Sequence, residues 1–153
     1  MNSKIRKMKL EDITAIMVIE KELFSSVWEE EMFIEEIEKQ YAYILELEGS
    51  IIGYICGWKL HDEFNITNIA IVSEFQRKGF GEKLVQFIMT KLLDGKCYKF
   101  FLEVRSSNYA AKQLYDKMGF ILLRVRNKYY KFPEDDALVM GVNLMDKLIK
   151  DKI

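Results

Sequence analysis

The chain has a single proline, Pro133, and no stretch rich in glycine and serine, so nothing marks a linker or a domain boundary. Its only histidine, His61, has no nucleophile motif around it. A Ser-His-Asp or Cys-His triad is therefore unsupported, and His61 reads as an ordinary strand-end residue. Cys56 and Cys97 are the only cysteines and lack CxxC spacing. They read as buried thiols of a reduced, cytoplasmic protein rather than a disulfide framework, and no metal site is expected. No apolar run approaches membrane-spanning length, and the opening Met1-Asn2-Ser3-Lys4-Ile5-Arg6-Lys7 is too broken by charge for a signal peptide. Lysine and arginine number 23 against 24 acidic residues, so there is no electrostatic footprint for nucleic acid or an anionic membrane.

What is present fits one globular domain, residues 1–153, half apolar and 31% charged. After a short strand near Lys4 to Lys7, Ile13, Ile16, Met17, Ile19, Leu23 and Phe24 recur at helical spacing. Residues 28–40 repeat the pattern, with Met32, Phe33 and Ile37 expected inward and a dense set of glutamates outward. Residues 41–48 and 51–60 are strand-like around a Glu48-Gly49-Ser50 hairpin signal, and residues 64–72 form a third strand. A helix over 80–93, a strand over 99–104, a helix over 108–118 and a final strand pair, 120–126 and 137–144, complete the pattern. The order β-α-α-β-β-β-α-β-α-β-β predicts a mixed α/β sheet with helices packed against it.

The segment Gln76-Arg77-Lys78-Gly79-Phe80-Gly81 joins a strand to a helix. Such a turn leaves several backbone N–H groups aimed at one spot, reinforced by the positive end of the helix dipole. That suits a phosphate. Gly79 and Gly81 remove side chains where the backbone comes closest to a ligand, and Arg77 and Lys78 add positive charge. The third glycine of a dinucleotide fingerprint is missing, as is the Gly-Lys-Ser/Thr of a P-loop. By itself, then, the hexapeptide is a generic anion turn.

Several motifs in order make it more. Asn68-Ile69-Ala70-Ile71 precedes the loop, and Gln76, Gly79 and Gly81 match a Gln/Arg-x-x-Gly-x-Gly/Ala signature. Leu102-Glu103-Val104-Arg105-Ser106-Ser107-Asn108, Leu114-Tyr115 with Gly119-Phe120, Arg126-x-x-Tyr129-Tyr130 and Glu134-Asp135-Asp136-Ala137-Leu138-Val139-Met140 follow. Together they resemble the GCN5-related N-acetyltransferase (GNAT) superfamily, and more closely its bacterial ribosomal-protein-alanine N-acetyltransferases of the RimI type. The resemblance implies a mostly antiparallel sheet of about seven strands flanked by four helices. It also implies acetyl-CoA as acetyl donor, held by the main chain of Ile69, Ala70 and Ile71, by Gln76, Arg77, Lys78, Gly79, Phe80, Gly81 and Glu82, and by Asn108.

Transfer of acetyl to an amine needs a neutral nitrogen, a polarised thioester carbonyl and a proton for the departing thiolate. By resemblance Glu103 is the general base, acting directly or through a water, and Tyr115 the acid that protonates coenzyme A. On pattern alone Glu103 is equally a solvent-facing residue of an alternating strand, Tyr115 a core aromatic and Asn108 a helix N-cap. Tyr129, Tyr130 and Trp28, with residues 24–28, would line the acceptor side, although Tyr129 and Tyr130 also fit a hydrophobic strand end. Val27 stands where the family often has a proline.

A protein α-amine, with a reference pKa near 8 against 10.4 for lysine, needs roughly 3.4 kcal/mol less to deprotonate, so one modest base is enough. The resemblance therefore points to acetylation of a protein N-terminus, the N-terminal alanine of a small-subunit ribosomal protein. A small-molecule amine acceptor and a non-catalytic acyl-CoA-binding module are the alternatives, the latter disfavoured by the presence of both Glu103 and Tyr115. The oligomeric state is open and compatible with a monomer.

Overall fold

The computed structural model describes residues 2–146. In chain order these form β1 (Ser3–Lys7), α1 (Ile13–Leu23), α2 (Glu30–Glu38), β2 (Ala42–Leu47), β3 (Ser50–Leu60), β4 (Glu63–Ile71), α3 (Phe80–Leu93), β5 (Lys99–Arg105), α4 (Tyr109–Lys117), β6 (Ile121–Lys131) and β7 (Glu134–Asn143). The strands follow the order β1-β2-β3-β4-β5-β7-β6 in one sheet. The pairs β1–β2, β2–β3, β5–β7 and β6–β7 are antiparallel and β4–β5 is parallel, the mixed, mostly antiparallel sheet expected.

The β2–β3 turn is made by Glu48 and Gly49, with φ of 50° and 82°. Both are left-handed, as a tight two-residue hairpin requires for its twist to match the strands. His61 is also left-handed, at φ 55°, in the turn that follows β3, so it serves chain reversal.

The chain divides into two compact units. The first runs up to Trp58 and resumes over Thr67–Val85; the second holds Lys59–Ile66 and the chain from Gln86 onward. The first unit has one apolar core, in which Ile13, Ile16 and Ile19 of α1 and Phe33 of α2 meet Ala42 and Ile44 of β2, Tyr54 and Cys56 of β3, and Ala70 of β4. The Phe33 ring stands edge-on to Tyr54 at 5.6 Å. Arg6 binds Asp12 through two bonds of 2.8 Å and Glu46 through a third of 2.9 Å, tying β1 to β2 and to the entry of α1.

The inward face of α2 departs from the expected one. Met32 is 45% exposed, whereas Phe33 is fully buried and Ile34 and Ile37 pack against the core. Nor are all the glutamates outward: Glu36 is 5% exposed, its Oε1 lies 3.6 Å from Lys39 Nζ, and burial pushes its carboxyl above the ordinary range. At about 100° per residue Phe33, Ile37 and Ile34 fall within one arc of α2 and Met32 lies outside it, so the apolar stripe is Phe33, Ile34 and Ile37.

In the second unit β5 alternates, with Phe100, Leu102 and Val104 buried and Glu103 turned to the more exposed face. Phe100 packs on Phe64 at 6.1 Å. The parallel ladder pairs Glu63 to Ile66 with Lys99 to Leu102 and stops there. Cys56 and Cys97 are both buried and unbridged, as expected, and burial raises both thiol pKa values.

Candidate active site

The first group of candidate residues lies where β4 gives way to α3. After Ile71 the chain makes a short helical turn at Ser73–Phe75 and then an extended step at Gln76. Arg77 and Gly79 are left-handed, at φ 61° and 88°. Left-handed residues interspersed in such a turn bring successive N–H groups round to one side, a concavity for an anion. The first α-helical bond of α3 runs from Lys83 N–H to the Gly79 carbonyl at 3.1 Å, so Phe80 and Gly81 occupy the opening turn, where amides have no intrahelical acceptor. A Cβ built on Gly79 meets nothing within 4 Å, so the space above the loop is open. The residues present thus fit a phosphate-bearing ligand.

The side chains of the loop brace it. Gln76 Nε2 donates to the Ile71 carbonyl at 2.8 Å, which fastens the loop to the end of β4 and engages that carbonyl. Lys78 Nζ lies 5.6 Å from the Phe75 ring centroid, and Phe75 meets Phe80 edge-on at 6.2 Å. Lys83 is hydrogen-bonded to Ser3. Glu82, half-buried, is the third residue of α3, while Ala70 and Ile71 are buried and Ile69 half-buried.

The second group centres on Glu103. Its carboxylate pairs with Arg126 Nε at 3.2 Å, both side chains being partly exposed. Arg126 also lies 5.3 Å from the Tyr129 ring, Arg105 lies 4.1 Å from the Tyr130 ring, and the two tyrosines stand almost perpendicular at 5.2 Å. Burial, then the charge of Glu103, raises the Tyr130 phenol pKa. This arrangement depends on a break in register. Between Arg126 and Tyr130 the β6–β7 pairing slips, leaving Asn127, Lys128 and Tyr129 opposite Asp136 alone. Lys128, left-handed at φ 53°, donates its N–H to Asp136 Oδ1 at 2.8 Å. Asp135 Oδ2 accepts from the Ser107 hydroxyl at 2.6 Å and from its N–H at 3.2 Å, and the Arg105 guanidinium donates to the Pro133 carbonyl at 2.9 Å. Asp135 and Asp136 therefore prop the strand ends that carry Arg105, Tyr129 and Tyr130.

Asn108 and Tyr115 take other partners. Asn108 caps α4, its Oδ1 accepting from Ala111 N–H at 3.2 Å. Tyr115 is buried, packs on Phe120 at 5.5 Å, and burial alone raises its phenol well above the ordinary value. At neutral pH it keeps its proton and is a donor. Trp28 packs on Phe33 at 5.1 Å, against the core of the first unit.

One residue went unmarked in the sequence. Glu20, 1% exposed, accepts from the Tyr54 hydroxyl and Asn68 Nδ2 at 2.6 Å each, and from Trp28 N–H at 3.0 Å. The available signal was a carboxylate between Ile16, Ile19 and Leu23 on the apolar face of a helix.

Residues 13–120 match the acetyltransferase (GNAT) family. Over 143 residues the chain is 36% identical to the "putative ribosomal protein bS18-alanine N-acetyltransferase" of Bacillus subtilis (strain 168), covering 92% of this chain and 95% of that protein. The crystal structure of the ribosomal-protein-S18-alanine N-acetyltransferase from Escherichia coli superposes with a TM-score of 0.86 at 28% identity, over 93% of this chain and 94% of that one. Ard1 from Thermoplasma volcanium shares the fold, with a TM-score of 0.87 at 23% identity over 94% of this chain and 98% of that one.

Proposed function

Since the chain belongs to the acetyltransferase (GNAT) family, we propose that it transfers the acetyl group of acetyl-CoA to the α-amine of a protein N-terminus, the N-terminal alanine of a small-subunit ribosomal protein in the cytoplasm. The whole chain, 1–153, acts as one N-acetyltransferase domain. The observation that carries the choice of acceptor is the surround of Glu103: its carboxylate pairs with Arg126, whose guanidinium lies by the Tyr129 ring, Tyr130 stands almost perpendicular to Tyr129, and Asp136 holds open the bulge that ends at Tyr129. A partly exposed carboxylate whose partner is a partly exposed arginine suits the α-ammonium of an extended peptide, which takes the place of Arg126 on Glu103. The names of the Bacillus and Escherichia relatives support the same acceptor.

The amides of the loop from Gln76 to Gly81 and the opening turn of α3 take the pyrophosphate, with Arg77 and Lys78 supplying charge and Gln76 acting as the brace between loop and strand. The backbone of Ile69 and Ala70 lies along the pantetheine arm. Glu103 accepts a proton from the α-ammonium, directly or through a water, leaving a neutral nitrogen. That nitrogen forms a bond to the thioester carbonyl carbon, the carbon–sulfur bond breaks, and Tyr115 donates its proton to the thiolate; the second proton, shed by the nitrogen as it becomes an amide, restores the Tyr115 phenol, and Glu103 releases its own to solvent.

The test incubates the purified chain with acetyl-CoA and a peptide beginning with alanine, beside the same peptide with a blocked N-terminus and a panel of small amines, and follows thiol release. Turnover on the open peptide alone is expected. Turnover on small amines with none on the peptide would overturn the acceptor, and coenzyme A binding without turnover on anything would overturn catalysis.

A further inference from the structure

The deepest charged group of the first unit is the Glu20 carboxylate, and among the described residues it has no cationic partner. Its three bonds come from uncharged donors on three segments: the Tyr54 hydroxyl on β3, the Asn68 amide on β4 and the Trp28 backbone N–H. A buried carboxylate is costly to desolvate, and this one is retained only because all three donors are aimed at it. Burial and the bond to Glu20 raise the Tyr54 phenol far above its ordinary pKa, so that group stays a donor.

The same residue acts through its backbone. The Glu20 carbonyl accepts the Phe24 N–H at 3.0 Å as α1 ends, and its side chain accepts the Trp28 N–H shortly before α2 begins. Residues 24–28 are thereby held at both ends by one amino acid. Val27, unlike a proline, does not lock its own φ, so these bonds act with the packing of Phe24 and Trp28 on the core to hold the loop. Asn68 directly precedes Ile69 and Ala70, so the carboxylate also joins this loop to β4.

We infer that Glu20 is a positioning residue that clamps residues 24–28 at both ends and ties them to Asn68 on β4, fixing the surface that receives the acceptor peptide. The inference rests on the proposed role of that loop on the acceptor side. Glu20 is buried beneath the loop and acts through Trp28 and Asn68.

The test compares Glu20→Gln with Tyr54→Phe, measuring KM for the alanine peptide, KM for acetyl-CoA, kcat, melting temperature and hydrogen exchange at the Trp28 amide. Glutamine keeps the shape but sets an NH2 group against one of the three donors. Losing a bond to a charged acceptor predicts a rise in peptide KM of about tenfold and faster exchange at Trp28, with the acetyl-CoA KM within about twofold. Tyr54→Phe removes one of the bonds that hold the carboxylate in place, so the Trp28 bond should loosen, with faster exchange at Trp28 and a rise in peptide KM of about threefold at most. Unchanged exchange at Trp28 in folded Glu20→Gln, or equal rises in both KM values, would overturn the clamp. If Glu20→Gln does not fold, Tyr54→Phe decides: a loosened Trp28 amide with higher peptide KM supports the clamp, and an unchanged amide overturns it. Hydrogen exchange does not depend on turnover, so a protein that acetylates no peptide at all would refute the proposed function while the clamp is still decided.

Discussion

Gly49 and Gly79 form a matched pair from which the role of the loop after β4 can be read. Gly49 has φ 82° and Gly79 φ 88°, and a Cβ on either meets nothing within 4 Å. Alanine at each should carry the same left-handed backbone strain, about 1–2 kcal/mol, and no clash. For a chain of this size that lowers the melting temperature by about 2–8 °C in both variants. The two must then part in function. The Gly79 Cβ would project into the space where the pyrophosphate is proposed to meet the loop amides. Loss of one charge-assisted bond at about 1.5–3 kcal/mol raises the acetyl-CoA KM by about tenfold to a hundredfold. Gly49 turns the β2–β3 hairpin, so its variant should keep the parental acetyl-CoA KM. Thermal melts with and without coenzyme A, beside steady-state thiol release, measure both quantities. Equal melting shifts with an unchanged acetyl-CoA KM in Gly79→Ala would refute the assignment of this loop to the donor.

Glu103→Gln should lower kcat by about 10²–10⁴-fold with little change in the acetyl-CoA KM, as removal of a base predicts; equal losses in turnover and donor affinity, seen in a full titration of both substrates, would assign it to binding instead. Gly53→Ala places a Cβ 2.6 Å from the Ala70 carbonyl oxygen and should destabilise by about 1–3 kcal/mol, read from denaturant unfolding. The Arg6 guanidinium holds the Asp12 carboxyl below the usual carboxylate range. A folded pKa depressed below its unfolded value contributes stability that is present above the ordinary carboxylate pKa and is lost as pH falls through the folded one. Asp12→Asn should therefore flatten the acid side of the stability–pH curve and leave its slope near neutrality unchanged.

The apolar periodicity of α1 and α3, the strand alternation around Glu48-Gly49 and the strand-to-helix turn at Gln76 were legible because each is a local pattern confined to a few consecutive residues. The α2 stripe was misread because Met32, Phe33 and Ile34 are contiguous apolar residues, and which pair flanks the Phe33–Ile37 face is set by how the helix packs on the core.

By itself the sequence determined the order of elements, the glycine-bearing strand-to-helix turn and the family, since these rest on periodicity, glycine placement and motifs in register. Only the tertiary structure decided what Glu20, Arg126 and Asp136 do. Glu20 reaches donors up to 48 residues away, Arg126 pairs with a carboxylate on β5, and Asp136 holds a three-residue bulge on the neighbouring strand. Such bonds are set by how strands pair and helices pack, which no local pattern encodes, and a lone glutamate or arginine in a charged sequence looks like a solvated surface residue until its partner arrives.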